Sequence, residues 1–285
     1  ARAAGAAVLL IEKNAALGGS TAWSVGSITA TGTPHQQRRG IVDSPADHDA
    51  DMPLFAGELA DRDNAGLRRI LCDEVPDAFR WLLSLGVRFH GPMPEPPHRQ
   101  PRMHTVLPNA LSYIHHLGRH ATKVGVELRL GVRAAQLVVE GGRVVGVVCD
   151  HGRRIDARRG VVLAAGDFTN DPELKAIHLG APAAKVEAVN PTATGDGQKL
   201  ALALGARIVN GDLALGPELR FIAPARMTLV RRLPPWRALA AGIEWALAHL
   251  PPRLLRPFVM GFLTTALAPS RSHISVALLR RTRSW

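Results

Sequence analysis

Glu12 ends an apolar run, Val8 to Ile11, and six residues further on stand Gly18, Gly19, Ser20 and Thr21. If the run is a parallel strand, a carboxylate at its tip can accept both hydroxyls of an adenosine ribose, a pairing that water competes with poorly in a tight crevice. The glycine pair would bring bare backbone amides, with two hydroxyls beside them, up to a pyrophosphate or a ring edge where a Cβ would collide. A surface acid that happens to close a strand is the plainer reading of Glu12, and a bare GGST turn is a weak signal. The spacing between the two strengthens it. Asp196, between Gly195 and Gly197 at the start of a helical stretch, has two open readings: a cap on the following amides or a group on the cofactor side. A complete site of this kind has a glycine-rich phosphate loop about 20 residues before the acid, yet only seven residues precede Val8. The chain is therefore expected to be an internal piece of a longer one.

The elements that must position these groups follow from local pattern. "ARAAGAA" reads as the last turn of a helix closed by Gly5 and feeding the strand Val8 to Ile11. From Ser44 to Leu85 the period is helical, and Leu67, Ile70, Leu71, Val75, Phe79 and Leu82 are predicted to form one buried face. "HGPMPEPPHRQPRMHTVLPNA" reads as a Pro-rich loop suited to lie over a site, followed by a helix from about Ala110 to Val124. A run of β segments comes next, with turns at Gly141-Gly142 and His151-Gly152. It ends in the uniformly apolar Gly160 to Ala165, predicted as a strand buried on both faces. The Gly-Asp-Gly turn then opens a helix ending at Gly205 and another strand, and the pattern changes near residue 212.

Composition bounds the class. The chain has 285 residues, 46% hydrophobic, with a formal net charge of +11 from 35 Lys+Arg against 24 Asp+Glu. That charge invites an acidic partner, but no block of basic residues and no zinc-finger or RNP-type pattern supports nucleic-acid binding. Cys72 and Cys149 match no metal or redox spacing, as expected of two thiols in a reducing, cytoplasmic compartment. No ligand spacing links His98, His104, His115 and His116, so no metal site is expected. No secretory leader is evident. The apolar run Pro257 to Ser270 is shorter than the roughly 20 residues of a spanning helix, which leaves only association with a membrane surface for the Arg-flanked segments after Trp236.

Three segments in order, "LLIEKNAALGGSTAWSVGSITA", "GVVLAAGDFTND" and "TATGDGQKLALALGA", resemble the flavoprotein family of soluble fumarate reductases, succinate dehydrogenase flavoprotein subunits and 3-ketosteroid dehydrogenases. The resemblance implies an α/β fold: a Rossmann-like FAD/NAD(P)-binding three-layer domain with a β-meander insert over residues 1–212, plus part of an α+β capping domain over 213–285. It implies FAD as cofactor, with Glu12 on the adenosine ribose and Lys13 beside it. Gly18, Gly19, Ser20 and Thr21 would lie near the pyrophosphate and flavin, and Ser24 and Gly26 along the isoalloxazine. Ala134 would meet adenine through its backbone, Ala164, Ala165 and Gly166 would form a close-packed turn beside the cofactor, and Asp196 would stand on the cofactor side. The family's opening strand and GxGxxG turn are absent, so this chain is expected to hold FAD weakly or not at all.

The chemistry implied is hydride transfer between flavin N5 and a carbon-carbon bond next to a carbonyl, on a small-molecule substrate and with an unknown electron donor or acceptor. Fumarate reductases of the family carry a histidine soon after the TGDG helix, whereas here none occurs from Gly211 until His249. Trp236 and Trp245 lean towards a hydrophobic enone or ketosteroid-like substrate, though packing is the commoner use of such residues. A small dicarboxylate, or a non-catalytic basic binding module, is the alternative. Catalytic residues are not assignable: Tyr113 is the only tyrosine, and Arg220 and Arg226, which could meet a developing enolate, read more simply as solvated surface.

Overall fold

The computed structural model describes residues 1–214, 232–251 and 253. Its strands are β1 (Leu9–Glu12), β2 (Ser27–Thr29), β3 (Arg88–Met93), β4 (Met103–Leu107), β5 (Glu127–Leu130), β6 (Ala134–Glu140), β7 (Arg143–Cys149) and β8 (Arg154–Asp156). The α-helices are α1 (Gly19–Trp23), α2 (Pro34–Arg38), α3 (Pro45–Ala56), α4 (Ala65–Leu85), α5 (Leu111–Lys123), α6 (Pro172–Leu179), α7 (Ala181–Ala184), α8 (Asp196–Leu202) and α9 (Arg237–His249). Contacts divide the described residues into two units, one from 1–23 and 121–214, the other from 24–120 and the residues after 231. The sequence suggests one boundary near 212. The contacts also set 24–120 apart, because that excursion builds a sheet and core of its own. Arg220, Arg226, the run Pro257 to Ser270 and the tail beyond it lie outside the described residues.

In the first unit β1 pairs in parallel with β5, Leu9 opposite Glu127 and Glu12 opposite Leu130. Gly5 closes the opening 3-10 turn in the left-handed region (φ 78°), as its position predicts. β6, β7 and β8 form an antiparallel meander. Gly141 and Gly142, both at positive φ, make the two-residue link that the right-handed twist of a hairpin favours. Leu137 and Val147 of the meander bury against Leu200 of α8, with Ile11 packed alongside, so the strand bearing Glu12 is braced by the hairpin and the helix. Two expectations fail here. Gly160 to Ala165 forms no strand and is largely exposed, and 206–209 is not a strand either. A uniformly apolar run becomes a buried strand only with a ladder partner beside it, and among the described residues these segments have none.

The second unit holds the sheet β2-β4-β3, antiparallel throughout. The residues read as a Pro-rich loop therefore contain a hairpin. Pro92 lies in β3, an edge strand whose register shifts between His90 and Met93, and edges and irregularities are where a residue without an N–H is tolerated in a sheet. Asn64 caps α4 by accepting from the Leu67 amide at 3.0 Å, and Gly86 ends it at φ 105°. Val75 and Phe79 bury as predicted with Ala30, Val87, Phe89, Val106, Ala110 and Tyr113, and Leu82 packs against them. Leu67, Ile70 and Leu71 do not, at 65%, 59% and 50% exposed. The core takes the arc through Cys72, Val75, Pro76 and Phe79, so the predicted face is right in the second half of the helix and wrong in the first, where Cys72 and not its larger aliphatic neighbours is buried.

Gly26 shows why backbone matters in this core. It sits at φ 77°, its carbonyl accepts from the Tyr113 hydroxyl at 2.8 Å, and a Cβ there would run into Val106 Cγ1 and approach Ala110 Cβ at 3.2 Å. Gly26→Ala is expected to cost about 1–3 kcal/mol through strain and overpacking, read as a lower midpoint in urea. An unchanged midpoint sinks this reading.

Candidate functional site

Glu12 stands at the end of β1, and three interactions fix the backbone around it. Its carbonyl accepts from the Val132 amide at 2.9 Å, the Asn14 carbonyl accepts from Gly131 at 3.0 Å, and the Asn14 amide donates to Glu12 Oε1 at 2.8 Å. Glu12 Oε2 takes no hydrogen bond among the described residues. This leaves the acceptor a ribose hydroxyl requires.

Beyond it the chain turns through two left-handed glycines. A Cβ on Gly18 (φ 153°) would meet Ala22 Cβ at 2.9 Å, while one on Gly19 (φ 53°) would find nothing within 4 Å. Gly166 (φ 81°) is equally open, and a Cβ on Gly197 would meet Ala165 Cβ at 3.0 Å. Ala164, Ala165 and Gly166 line a cleft of about 300 Å³ together with Gln198 and Arg207. Bare, open backbone of this kind can lie flush against a planar or phosphate-bearing ligand. Ser20 donates to Asp167 Oδ2 at 3.1 Å and accepts from Asn190 Nδ2 at 3.1 Å. Burial pushes the Asp167 carboxyl up, but hydrogen bonds from Thr169 and Ser20 outweigh it and hold the group below its ordinary value. Thr21 follows within α1, and Ala134 opens β6, opposite Cys149.

Asp196 lies at the first position of α8 with a side chain only 10% exposed. Its carboxylate caps no amide of that helix, which corrects the capping alternative. It accepts instead from Arg133 in a two-pronged pair, Nε to Oδ2 at 3.0 Å and Nη2 to Oδ1 at 2.8 Å. Lys13 Nζ reaches Oδ2 at 3.0 Å and Thr194 Oγ1 at 2.6 Å, and Thr194 donates to Oδ1 at 2.9 Å. Burial alone would raise this carboxyl, but the pairs with Arg133 and Lys13 and the Thr194 bond pull it down to about 2. Lys13, expected beside the cofactor, thus has its ammonium engaged with Asp196 and Thr194.

Ser24 and Gly26 belong to the second unit, where Gly26 is a core residue. Trp236 and Trp245 line no core, being 65% and 59% exposed. Trp245 stacks on His249, with ring centroids 5.2 Å apart. Sequence reasoning missed Asn14, Arg133, Asp167, Asn190, Thr192 and Thr194. The threonines sit inside the quoted TATGDG segment, but nothing local marks them as partners of a strand about 180 residues earlier.

Similarity to known proteins extends over the same region. The family described as FAD binding domain matches residues 1–223. A probable fumarate reductase of Shewanella frigidimarina is 30% identical over 223 residues, 74% of this chain and 37% of the relative. An acrylate reductase flavoprotein subunit of Shewanella woodyi is 28% identical over 70% of this chain and 42% of its own length. The chain therefore spans well under half of these curated relatives. Among solved structures, the open conformation of a flavocytochrome c3 fumarate reductase superposes with a TM-score of 0.66 at 30% identity, covering 73% of this chain and 37% of that one. A 3-ketosteroid-Δ4-(5α)-dehydrogenase from Rhodococcus jostii RHA1, solved with 4-androstene-3,17-dione, superposes with a TM-score of 0.63 at 27% identity, covering 72% of this chain and 50% of that one.

Proposed function

We propose, from the premise that this chain belongs to the FAD binding domain family, that its first unit seats the adenosine end of FAD on Glu12 for an oxidoreductase acting on a carbon-carbon bond next to a carbonyl. FAD is the cofactor of this fumarate reductase and ketosteroid dehydrogenase family, and the fold is of the Rossmann-like class. The observation that carries the proposal is the strand-tip carboxylate with one oxygen open, followed by backbone at Gly19 and Gly166 that leaves open space where a side chain would stand.

In this reading Glu12 Oε2 accepts from the ribose, Gly18 to Thr21 run past the pyrophosphate, and Ala164 to Gly166 keep side chains out of the cofactor's way. Ala134 offers backbone to the adenine. Bound FAD supplies hydride exchange at N5, and the protein supplies orientation, exclusion of water and stabilisation of charge on the substrate carbonyl. For substrate we favour a hydrophobic enone or ketosteroid-like molecule. The absence of histidine between Gly211 and His249 and the likeness to a ketosteroid dehydrogenase support it. The fumarate and acrylate reductases among the relatives favour a small unsaturated carboxylate as the second reading. A separate redox partner completes the cycle.

The basic-module alternative gains little from the structure. Arg68, Arg99, Arg102, Arg129, Arg133 and Arg154 are each paired with carboxylates, which interleaves the two signs of charge. No described helix is long and apolar enough to cross a membrane, and the buried, unpaired thiols of Cys72 and Cys149 support a reducing compartment such as the cytoplasm.

Flavin fluorescence titration tests the assignment of Glu12. Glu12→Ala is expected to weaken FAD about tenfold or more, the loss of hydrogen bonds to a charged group, each worth ~1.5–3 kcal/mol. FMN, which lacks the adenosine, should be unaffected. Equal FAD affinities for parent and variant would remove the basis of the proposal.

A further inference from the structure

We infer that Asp196 is a positioning residue whose carboxylate clamps Lys13, the residue after Glu12, to Arg133, the residue after the backbone partner of Glu12, and so holds the strand tip in the geometry that receives an adenine nucleotide. The inference rests on the flavin reading of Glu12 but concerns residues that, in this structure, are engaged with one another.

The clamp joins three remote pieces of chain. Lys13 directly follows Glu12 at the end of β1, while Arg133 directly follows Val132, whose amide pins the Glu12 carbonyl at 2.9 Å. Asp196 opens α8. One carboxylate therefore grips the residue after Glu12 and the residue after its backbone partner, through contacts of 2.8 to 3.0 Å. The third piece is itself fixed. Gly195, at φ 65°, lets α8 start where a Cβ would approach Leu174 Cδ1 at 2.6 Å and Phe168 Cβ at 2.8 Å, and Leu200 anchors the helix against the meander. Two strands of a short parallel pair end beside each other here, β5 closing at Leu130 opposite Glu12, and ends of short strands fray unless tied down. Asn14 adds a lesser tie, its side-chain amide donating to Thr192 Oγ1 at 3.3 Å. A fork-shaped Arg–carboxylate pair is among the more directional links available to a protein. The Arg133 side chain is 52% exposed but its carboxylate partner only 10%, and two parallel bonds to a largely buried acceptor fix orientation better than a single contact between two solvated chains.

The role differs from direct ligation in what it does to the free protein. With the carboxylate removed, the tip should loosen before any nucleotide arrives. Hydrogen exchange in Asp196→Asn is expected to accelerate at least tenfold at the amides of Asn14 and Val132 and to stay unchanged at Val147 in the middle of the meander. Affinity for FAD and for ADP alone should fall about tenfold together. Lys13→Met should give the same pattern more weakly, and it keeps the test informative if Asp196→Asn folds poorly. Unchanged exchange at the tip in both variants overturns the clamp: with weaker FAD binding it marks Asp196 as a direct contact, and without it Asp196 has no part in the site. If the parent protein binds neither FAD nor ADP, the exchange measurement alone decides whether the clamp holds the strand tip.

Discussion

Arg102→Met is expected to cost about 3–5 kcal/mol of the stability of the second unit, the penalty for leaving buried charge without its partner. Arg102 is fully buried. Its guanidinium makes a forked pair with Asp43, Nε to Oδ2 at 2.8 Å and Nη2 to Oδ1 at 2.6 Å, and its Nη1 lies 2.6 Å from Asp51 Oδ2 and 2.9 Å from His98 Nδ1. Asp51 is as deeply buried and also accepts from the Arg99 amide at 3.0 Å and from the Arg99 side chain. Burial pushes the Asp51 carboxyl up, and Arg102 with Arg99 brings it down to about 2. Through Arg102 the segment ahead of β4 is tied to the chain just before α3 and to α3 itself. Arg102→Lys should rescue little, since a point charge cannot replace the fork. Replacing Arg102, Asp43 and Asp51 together by apolar residues of similar volume should recover most of the loss, because no charge is then left stranded. Chemical denaturation followed by near-ultraviolet dichroism of the single tyrosine and the tryptophans reads the effect. A loss under about 1 kcal/mol in Arg102→Met defeats the argument.

None of that network was legible in the sequence, and the reason is physical. Local signals report local structure: Gly5 at a helix end, the Gly141-Gly142 hairpin, the helix ending at Lys123 and the strand before Glu12 all follow from turn chemistry and periodicity within a dozen residues. The β3–β4 hairpin was hidden because its prolines read as loop, and only an edge position with a register shift accommodates them. The run Gly160 to Ala165 shows the converse: apolar composition specifies a strand only where a ladder exists to receive it. In the candidate site, the spacing of Glu12 from Gly18 and Gly19 was readable because it lies within one turn of chain. The partners of Asp196 were not, since Lys13 is 183 residues away and Arg133 is 63. Ion pairs across such distances leave no period in the sequence.

Stability of the second unit should also fall steeply as pH drops from 6.5 to 4, and histidines rather than carboxylates should drive the loss. His35, His48 and His104 are all buried. Burial pushes each imidazole down to about 4, helped by Arg38 at His35 and by Arg102 and His98 at His48. At His104 the Arg102 carbonyl, 2.6 Å from Nδ1, works against burial without overcoming it. His35 faces Glu244 of α9 at 3.5 Å, but that carboxylate is shared with Arg38 and Arg88 at 3.7 and 3.6 Å. It therefore cannot favour imidazolium enough to offset the neighbouring arginines. The unfolded chain takes up these protons near 6.5 and the folded one only near 4, so the stability these groups confer is complete above 6.5 and lost as pH falls through the interval. Each group contributes a slope of ~1.4 kcal/mol per pH unit, so three give ~4 kcal/mol per unit, against a total of about 5–15 kcal/mol for an ordinary domain. The stability that Asp51 confers is lost only as pH falls from its ordinary value of 3.8 towards about 2, so it cannot account for a loss that begins above pH 5. His48→Phe, which removes one titrating group from its edge-on contact with His98, should lower the slope by up to about a third, less where His90, His98 and His116, also held down by burial, add to it. Urea unfolding at a series of pH values, with imidazole resonances followed by NMR, measures both quantities. Stability that stays level between pH 6.5 and 4, or buried imidazoles that titrate near 6.5 in the folded protein, contradicts the assignment.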